Sequence, residues 1–492
     1  MRCQRNQDSA KINIFRLCAS SVCILAPVLL AGCFDEDTKQ RQAARDVNDI
    51  PSIRDQINRS GKGDRLVAAA RPQPPALADA RRRAHAALAP DDTPLTRFYR
   101  TLSDLKSGLR YEPVTILHLG DSHIAADRFS GDLRELFQAR FGNAGRGMMM
   151  PGFAFPYYRA RGVTFARKGK WRAANSFTKD AGPYGLTGVR LNTSGADAAL
   201  SLTSEEGAFE WAEVAFLTRA KGGAATVSFG GARRTVATSG PGRKIKRVRI
   251  ARKGRKLEVV AKGDARVSVL SWSAGHNRPG IRYVSFGIPG ATADTPLLWD
   301  EALVADDLAR LKPDLIVLGY GTNEGFNDDL DPPAYESRVA GLLTRLKRDA
   351  PQASFLMLGP PDSTRLPRFA RDKAGNAAAS APCRALNEEE RRDYALLLKA
   401  KSSKLARWHA PPMLSAVRAS LRRVAGTHGA YFWDWSRVMN GPCGIHAWAK
   451  AEPALAARDH VHLRSAGAKR SATALFEELM AGYEAHVKLA AR

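Results

Sequence analysis

The sequence predicts an α/β domain interrupted by an all-β insertion, and three observations carry that prediction. A strand of buried type followed by a polar turn, with helical stretches between and after, occurs at residues 114–119, 315–318 and 354–358. Between residues 163 and 280 helical periodicity gives way to short apolar segments separated by Gly, Asp, Ser and Lys turns. Near the C-terminus an amphipathic helix places Ala472, Leu475, Phe476 and Leu479 on one face.

In chain order, Arg2, Arg5, Lys11 and Arg16 precede an apolar run over residues 17–30, too short and too early for a comfortable membrane span. The run ends in Leu30-Ala31-Gly32-Cys33, and Phe34-Asp35-Glu36-Asp37 follows at once. This resembles a bacterial lipobox. The resemblance implies a signal peptide over residues 1–32, a lipid on Cys33, and a protein anchored on the periplasmic side of the cell envelope, in either membrane. An ordinary signal peptide or a short anchor helix is the alternative. Residues 33–90 are rich in Ala, Arg, Asp and Pro with little periodicity and read as a flexible tether.

Order begins at Asp92-Thr93-Pro94, a helix-start signal, and Leu95, Phe98, Tyr99, Leu102 and Leu105 recur at helical spacing until Gly108. Val114-Thr115-Ile116-Leu117-His118-Leu119 is apolar without clean alternation, as befits a parallel strand buried on both faces. It runs into Gly120-Asp121-Ser122-His123. Later strands lead into Gly319-Tyr320-Gly321-Thr322-Asn323 and Gly359-Pro360-Pro361, with helices expected over residues 335–347, 388–401 and 413–424. Segments 188–191, 199–203, 212–217, 225–229, 246–250, 257–261 and 267–272 have sandwich-strand length and spacing. The α/β domain is thus expected over residues 91–162 and 281–492, with the sandwich over 163–280.

The chain has 492 residues, with 76 Lys and Arg against 49 Asp and Glu, a formal net charge of +27. That surplus favours acidic lipid or an anionic wall polymer, unless it reflects general arginine richness and a basic tail. No zinc-finger spacing or RNA-binding aromatic signature accompanies it, so nucleic acid is not expected as a partner. Cys3, Cys18 and Cys23 leave with the signal peptide and Cys33 carries the lipid. Cys383 and Cys443 remain as one pair in an oxidising compartment, where a disulfide is expected. Neither metal-ligand clusters nor phosphate-cradling loops occur in the sequence, so no metal or organic cofactor is implied.

Four short blocks carry chemistry. Ser122 follows a buried strand, where a parallel sheet presents its ligands and where nearby N–H groups can face an oxyanion. A serine hydroxyl needs a base, and the base needs a carboxylate to hold its tautomer. Asp459-His460-Val461-His462 can supply both; either histidine could serve, and the spacing favours His462. Gly287-Ile288-Pro289-Gly290-Ala291-Thr292 and Gly321-Thr322-Asn323-Glu324 are glycine-containing loops. Gly290 could offer a backbone N–H, and Asn323 an amide, to a developing negative charge. Each block alone is also ordinary turn chemistry.

The order and spacing of the four blocks resemble the SGNH hydrolase superfamily, with Ser122, Gly290, Asn323 and His462 at the matching positions and Asp459 completing a triad. His123 departs from the Leu of the GDSL pattern. Phe141-Gly142-Asn143-Ala144-Gly145-Arg146-Gly147, Tyr320-Gly321-Thr322-Asn323-Glu324, Phe432-Trp433-Asp434-Trp435, Met439-Asn440-Gly441 and Trp448 are similar to bacterial peptidoglycan O-acetylesterases. The resemblance implies a three-layer, flavodoxin-like SGNH domain with a sandwich resembling a carbohydrate-binding module. It also implies removal of O-acetyl groups from cell-wall glycan by an acyl-enzyme on Ser122, with Ser122, Gly290 and Asn323 forming the oxyanion hole. A polysaccharide O-acetyltransferase with the same triad, or a non-catalytic glycan-binding lipoprotein, is the alternative. Trp433, Trp435 and Trp448 can line a sugar subsite or belong to the core. His118 reads as packed and His446 as surface or structural, while the basic runs at residues 243–247 and 252–256 read as solvated β-edge positions.

Overall fold

The computed structural model describes residues 93–156, 158–177, 182–371 and 381–491. The expected signal peptide, the expected lipid site Cys33 and the expected tether lie outside the described residues. Five parallel strands form one sheet in the order Ile281–Gly287, Val114–Gly120, Leu315–Gly319, Ser354–Gly359, Tyr431–Asp434. Along the chain this is 2-1-3-4-5, the flavodoxin-like order, which reverses direction at Val114–Gly120.

Both faces of this sheet are covered, which is why its strands read as unbroken apolar runs. Val114 and Ile116 pack with Phe98, Leu102, Phe137 and Leu475 from the helices Thr96–Lys106, Phe129–Phe141 and Ser465–Ala490. Leu117 and Leu119 face the opposite core, with Leu308, Leu342 and Leu421 from Glu301–Leu311, Pro332–Asp349 and Pro412–Thr427. That second core continues into the sandwich. The helix expected over residues 388–401 is instead two short ones, Glu388–Arg392 and Tyr394–Lys399, meeting at Asp393, a residue of low helix propensity. Cys383 is joined to Cys443 across a sequence separation of 60. By chain entropy such a loop closure is worth about 4 kcal/mol.

The insertion is two facing antiparallel sheets. One contains Ile245–Ile250, Trp211–Leu217, Val267–Gly275, Val189–Thr193 and Arg172–Asn175, and Gly147–Met149 joins it from before the expected boundary. The other runs Val163–Lys168, Ala199–Ser204, Lys256–Ala261, Ala224–Phe229, Ala232–Ala237. It leaves and re-enters the α/β domain at a single joint. The Ala144 N–H donates to Ile281 O, His276 N–H to Ala144 O, and Ile281 N–H to Gly142 O. A Cβ on Gly145 would stand 2.3 Å from Gly275 Cα, so only glycine permits this backbone approach. Arg247, expected to be solvated, instead pairs with Asp306 at 2.6 Å and Asp307 at 2.7 Å on the helix Glu301–Leu311.

Candidate active site

Gly120 is the register partner of both Gly287 and Gly319, so three neighbouring strands release their loops side by side at one edge. The middle loop opens into the helical turn Ser122–Ala125, which Asp121 caps by accepting the His123 N–H at 2.9 Å. This turn packs directly on the adjacent strand end: a Cβ on Gly287 would lie 2.3 Å from Ala125 N. The local chain therefore fixes Ser122 at the carboxyl ends of the strands.

The partner comes from the C-terminal loop. Asp459 Oδ1 accepts the N–H groups of Val461 at 2.9 Å and His462 at 3.0 Å, while His460 takes a left-handed φ of 58°. This tight turn sets Asp459 Oδ2 2.7 Å from His462 Nδ1, and His462 Nε2 lies 2.9 Å from Ser122 Oγ. A carboxylate on Nδ1 requires a proton there, so the lone pair of Nε2 faces the serine hydroxyl. Burial pushes the His462 imidazolium down, but the Asp459 hydrogen bond and charge, with the charge of Asp121, outweigh it and raise its pKa. Burial acts upward on Asp459; bonding to His462 and the two N–H groups prevails and brings its carboxyl down to about 2. The pair thus favours the imidazolium that forms when His462 takes a proton.

His460 is positioned otherwise, 3.7 Å from the Trp408 ring and 3.3 Å from Thr364 Oγ1. His446 lies 4.9 Å from it, ring to ring, and the buried His118 is bonded to Tyr283 Oη at 2.8 Å. Trp433, Trp435 and Trp448 are all buried in the core and offer no stacking surface. The His123 ring is enclosed between Asp121, 3.5 Å from its Nδ1, the Trp435 ring at 5.5 Å and His462 at 5.6 Å.

The three expected oxyanion donors lie on the loops that leave these neighbouring strand ends. Among the described residues neither the Ser122 nor the Gly290 N–H has an acceptor. Asn323 Nδ2 donates to Ala291 O at 2.8 Å, which leaves its second N–H available. The sequence did not reveal that Glu324 Oε1 accepts the Ala293 N–H at 2.8 Å. Two consecutive residues thereby grip the Gly290 loop at Ala291 and Ala293. Burial pushes the Glu324 carboxyl up to about 7, against its backbone hydrogen bonds, with Asp121 and Asp294 adding to the rise. Arg128 was also not singled out; its Nη1 donates to Leu463 O at 3.3 Å. It lines a cavity of about 30 Å³ with Ser122, His123, Phe129 and His462.

Residues 263–470 match the model of the GDSL-like Lipase/Acylhydrolase family. The fold is shared with a solved peptidoglycan O-acetylesterase at TM-score 0.61 and 23% identity, over 80% of this chain and 97% of that one. A GDSL-like lipase from Parabacteroides merdae overlaps at TM-score 0.26 and 17% identity, covering 41% of this chain and 72% of that one. A family two carbohydrate esterase from Cellvibrio japonicus overlaps at 0.25 and 11%, covering 64% and 99%. No curated protein matches the chain.

Proposed function

We propose that this GDSL-like acylhydrolase removes O-acetyl groups from a cell-envelope glycan, peptidoglycan foremost, through an acyl-enzyme on Ser122. That the chain is a carboxylic-ester hydrolase follows from the family match of residues 263–470 and the esterase fold. Which ester it takes is inferred from the site. The observation that carries the inference is the His462–Ser122 contact of 2.9 Å opening on a cavity of about 30 Å³. So narrow a recess beside the serine favours a short acyl group over a long one.

His462 takes the Ser122 proton as Oγ bonds to the acetyl carbonyl carbon. The oxyanion is held by the Ser122 and Gly290 N–H groups and the Asn323 amide. The bond from that carbon to the sugar oxygen then breaks, and the proton on His462 passes to the departing sugar hydroxyl. Water, deprotonated by the same imidazole, repeats the attack and releases acetate, restoring Ser122. The glycan agrees with the substrate named for the solved structure of the same fold. A lipid on Cys33 and a periplasmic position belong to the same proposal and rest on the N-terminal sequence.

Incubating the full chain with O-acetylated peptidoglycan should release acetate, and Ser122→Ala should reduce that release by about 10⁴-fold or more. Undiminished release by Ser122→Ala would overturn the mechanism. No release from the wall, with small aryl acetates still cleaved, would discard the substrate and keep the chemistry.

A further inference from the structure

A cavity of about 330 Å³, far larger than the one beside Ser122, opens on the sandwich and is lined by Lys170, Trp171, Arg172, Asn192, Ser194 and Arg266 among others. Its volume is at the lower end of small-molecule sites. Three neighbouring strands build it: Arg172 opens Arg172–Asn175, Asn192 lies in Val189–Thr193, and Arg266 immediately precedes Val267–Gly275. The walls are pinned. Thr193 Oγ1 donates to Lys170 O at 2.7 Å, and Ser268 Oγ donates to Asn192 Oδ1 at 2.7 Å.

No carboxylate lines the cavity. Among the described residues, the charged ends of Lys170, Arg172 and Arg266 make no ion pair or hydrogen bond, whereas Arg247 and Arg161 each hold two carboxylates. All three side chains are exposed, and together they give the concavity a positive field that attracts an anion from solvent. The geometry points to a second binding site here, for a saccharide unit that bears a carboxylate. Lys170, Arg172 and Arg266 meet the acid, and Asn192 and Ser194 meet the hydroxyls. The saccharide half of this assignment rests on the glycan substrate proposed above; the anionic half does not.

One strand spans the distance from the cavity to the Gly290 side of the sheet. At the start of the strand Val189–Thr193, a Cβ on Gly188 would touch Ile288 and Trp299, beside the Gly290 loop. At its end, Thr193 lines the cavity. At about 3.3 Å per residue the two places are roughly 15 Å apart. A polymer bound at the cavity can present another of its units to the nucleophile, which raises local concentration without new contacts at the catalytic edge.

The test uses the full chain carrying Ser122→Ala, titrated with polygalacturonate at an ionic strength of ~0.15 M. Lys170→Ala, Arg172→Ala and Arg266→Ala together should weaken binding by about tenfold or more. The control removes equal charge elsewhere on the sandwich, with Arg233→Ala, Arg234→Ala and Lys253→Ala, and should change binding by less than about twofold, as screened charges off the site would. Equal losses in both triples, or no loss in the first, would overturn the site. Displacement by galacturonate is expected. Displacement by inorganic phosphate in preference to galacturonate would overturn the carboxylate assignment, and tighter binding of duplex DNA than of polygalacturonate would overturn the saccharide. With Ser122 restored, both triples should hydrolyse a small aryl acetate at the parent rate, so failure of the ester chemistry and failure of this site read out separately.

Discussion

At the catalytic edge the charged side chains come with partners. Asp459 holds His462, Asp121 stands by His123, and Arg128 reaches the Leu463 carbonyl. In the sandwich cavity Lys170, Arg172 and Arg266 gather with no carboxylate beside them. The first arrangement holds each group by a directional hydrogen bond or ion pair, and a bond-making step depends on such placement. The second fixes only the sign of a field, which suits retention of a flexible polymer. Damage at the edge should therefore appear in kcat, and damage in the cavity in affinity for the polymer.

The largest effect that could break this division is expected from Asp459→Asn. It should lower kcat on an aryl acetate by about 10²–10⁴-fold and leave polygalacturonate binding unchanged. The pH profile sharpens the point. The raised pKa of His462 keeps the imidazole protonated, and so unable to act as base, to a higher pH than usual. In the parent enzyme kcat/KM should fall as pH drops through a value above the ordinary imidazole figure of about 6.5. Loss of the Asp459 charge should move that fall to lower pH; an unmoved limb would assign it to another group.

Next in size is Asn323→Ala, which should reduce kcat by about 10²–10³-fold with little change in KM, if its amide serves the oxyanion. A change confined to KM would count against that role. The smallest effect separates grip from charge at Glu324. Glu324→Gln keeps an oxygen for the Ala293 N–H and should retain kcat within about threefold. Glu324→Leu leaves that donor unpaired and should lose about tenfold. Equal losses in both would mean that the carboxylate charge matters, and steady-state kinetics of the two variants decide it.

The parts that were legible in the sequence are those whose signal is local. Asp459 and His462 are three residues apart on one turn, and Val114–Gly120 announces its double burial by an unbroken apolar run. Among the sandwich strands passed over by periodicity, Val163–Lys168, Arg172–Asn175 and Ala232–Ala237 each lie at a sheet edge, and Gly147–Met149 is only three residues long. An edge strand buries little and carries charges that discourage further pairing, so apolar alternation is faint there. Contacts across long sequence separations were equally hidden. Glu324 meets Ala293 across 31 residues, and nothing in Gly321-Thr322-Asn323-Glu324 signals it. Arg247 looked like one more solvated cation until the helix bearing Asp306 and Asp307 was in place.

The glycine joint has a consequence for how such an enzyme can diversify. Because residues 142–145 and 275–281 meet backbone to backbone, the whole sandwich is, for the catalytic sheet, a single long loop whose ends already touch. Loop-closure entropy grows only with the logarithm of length, so residues added to or trimmed from the sandwich away from the shared core and the Arg247–Asp306/Asp307 contact cost the host sheet little. An acyl-transfer centre built once can be carried to new polymers by changing the cargo at that joint, and its strand ends need not be rebuilt each time.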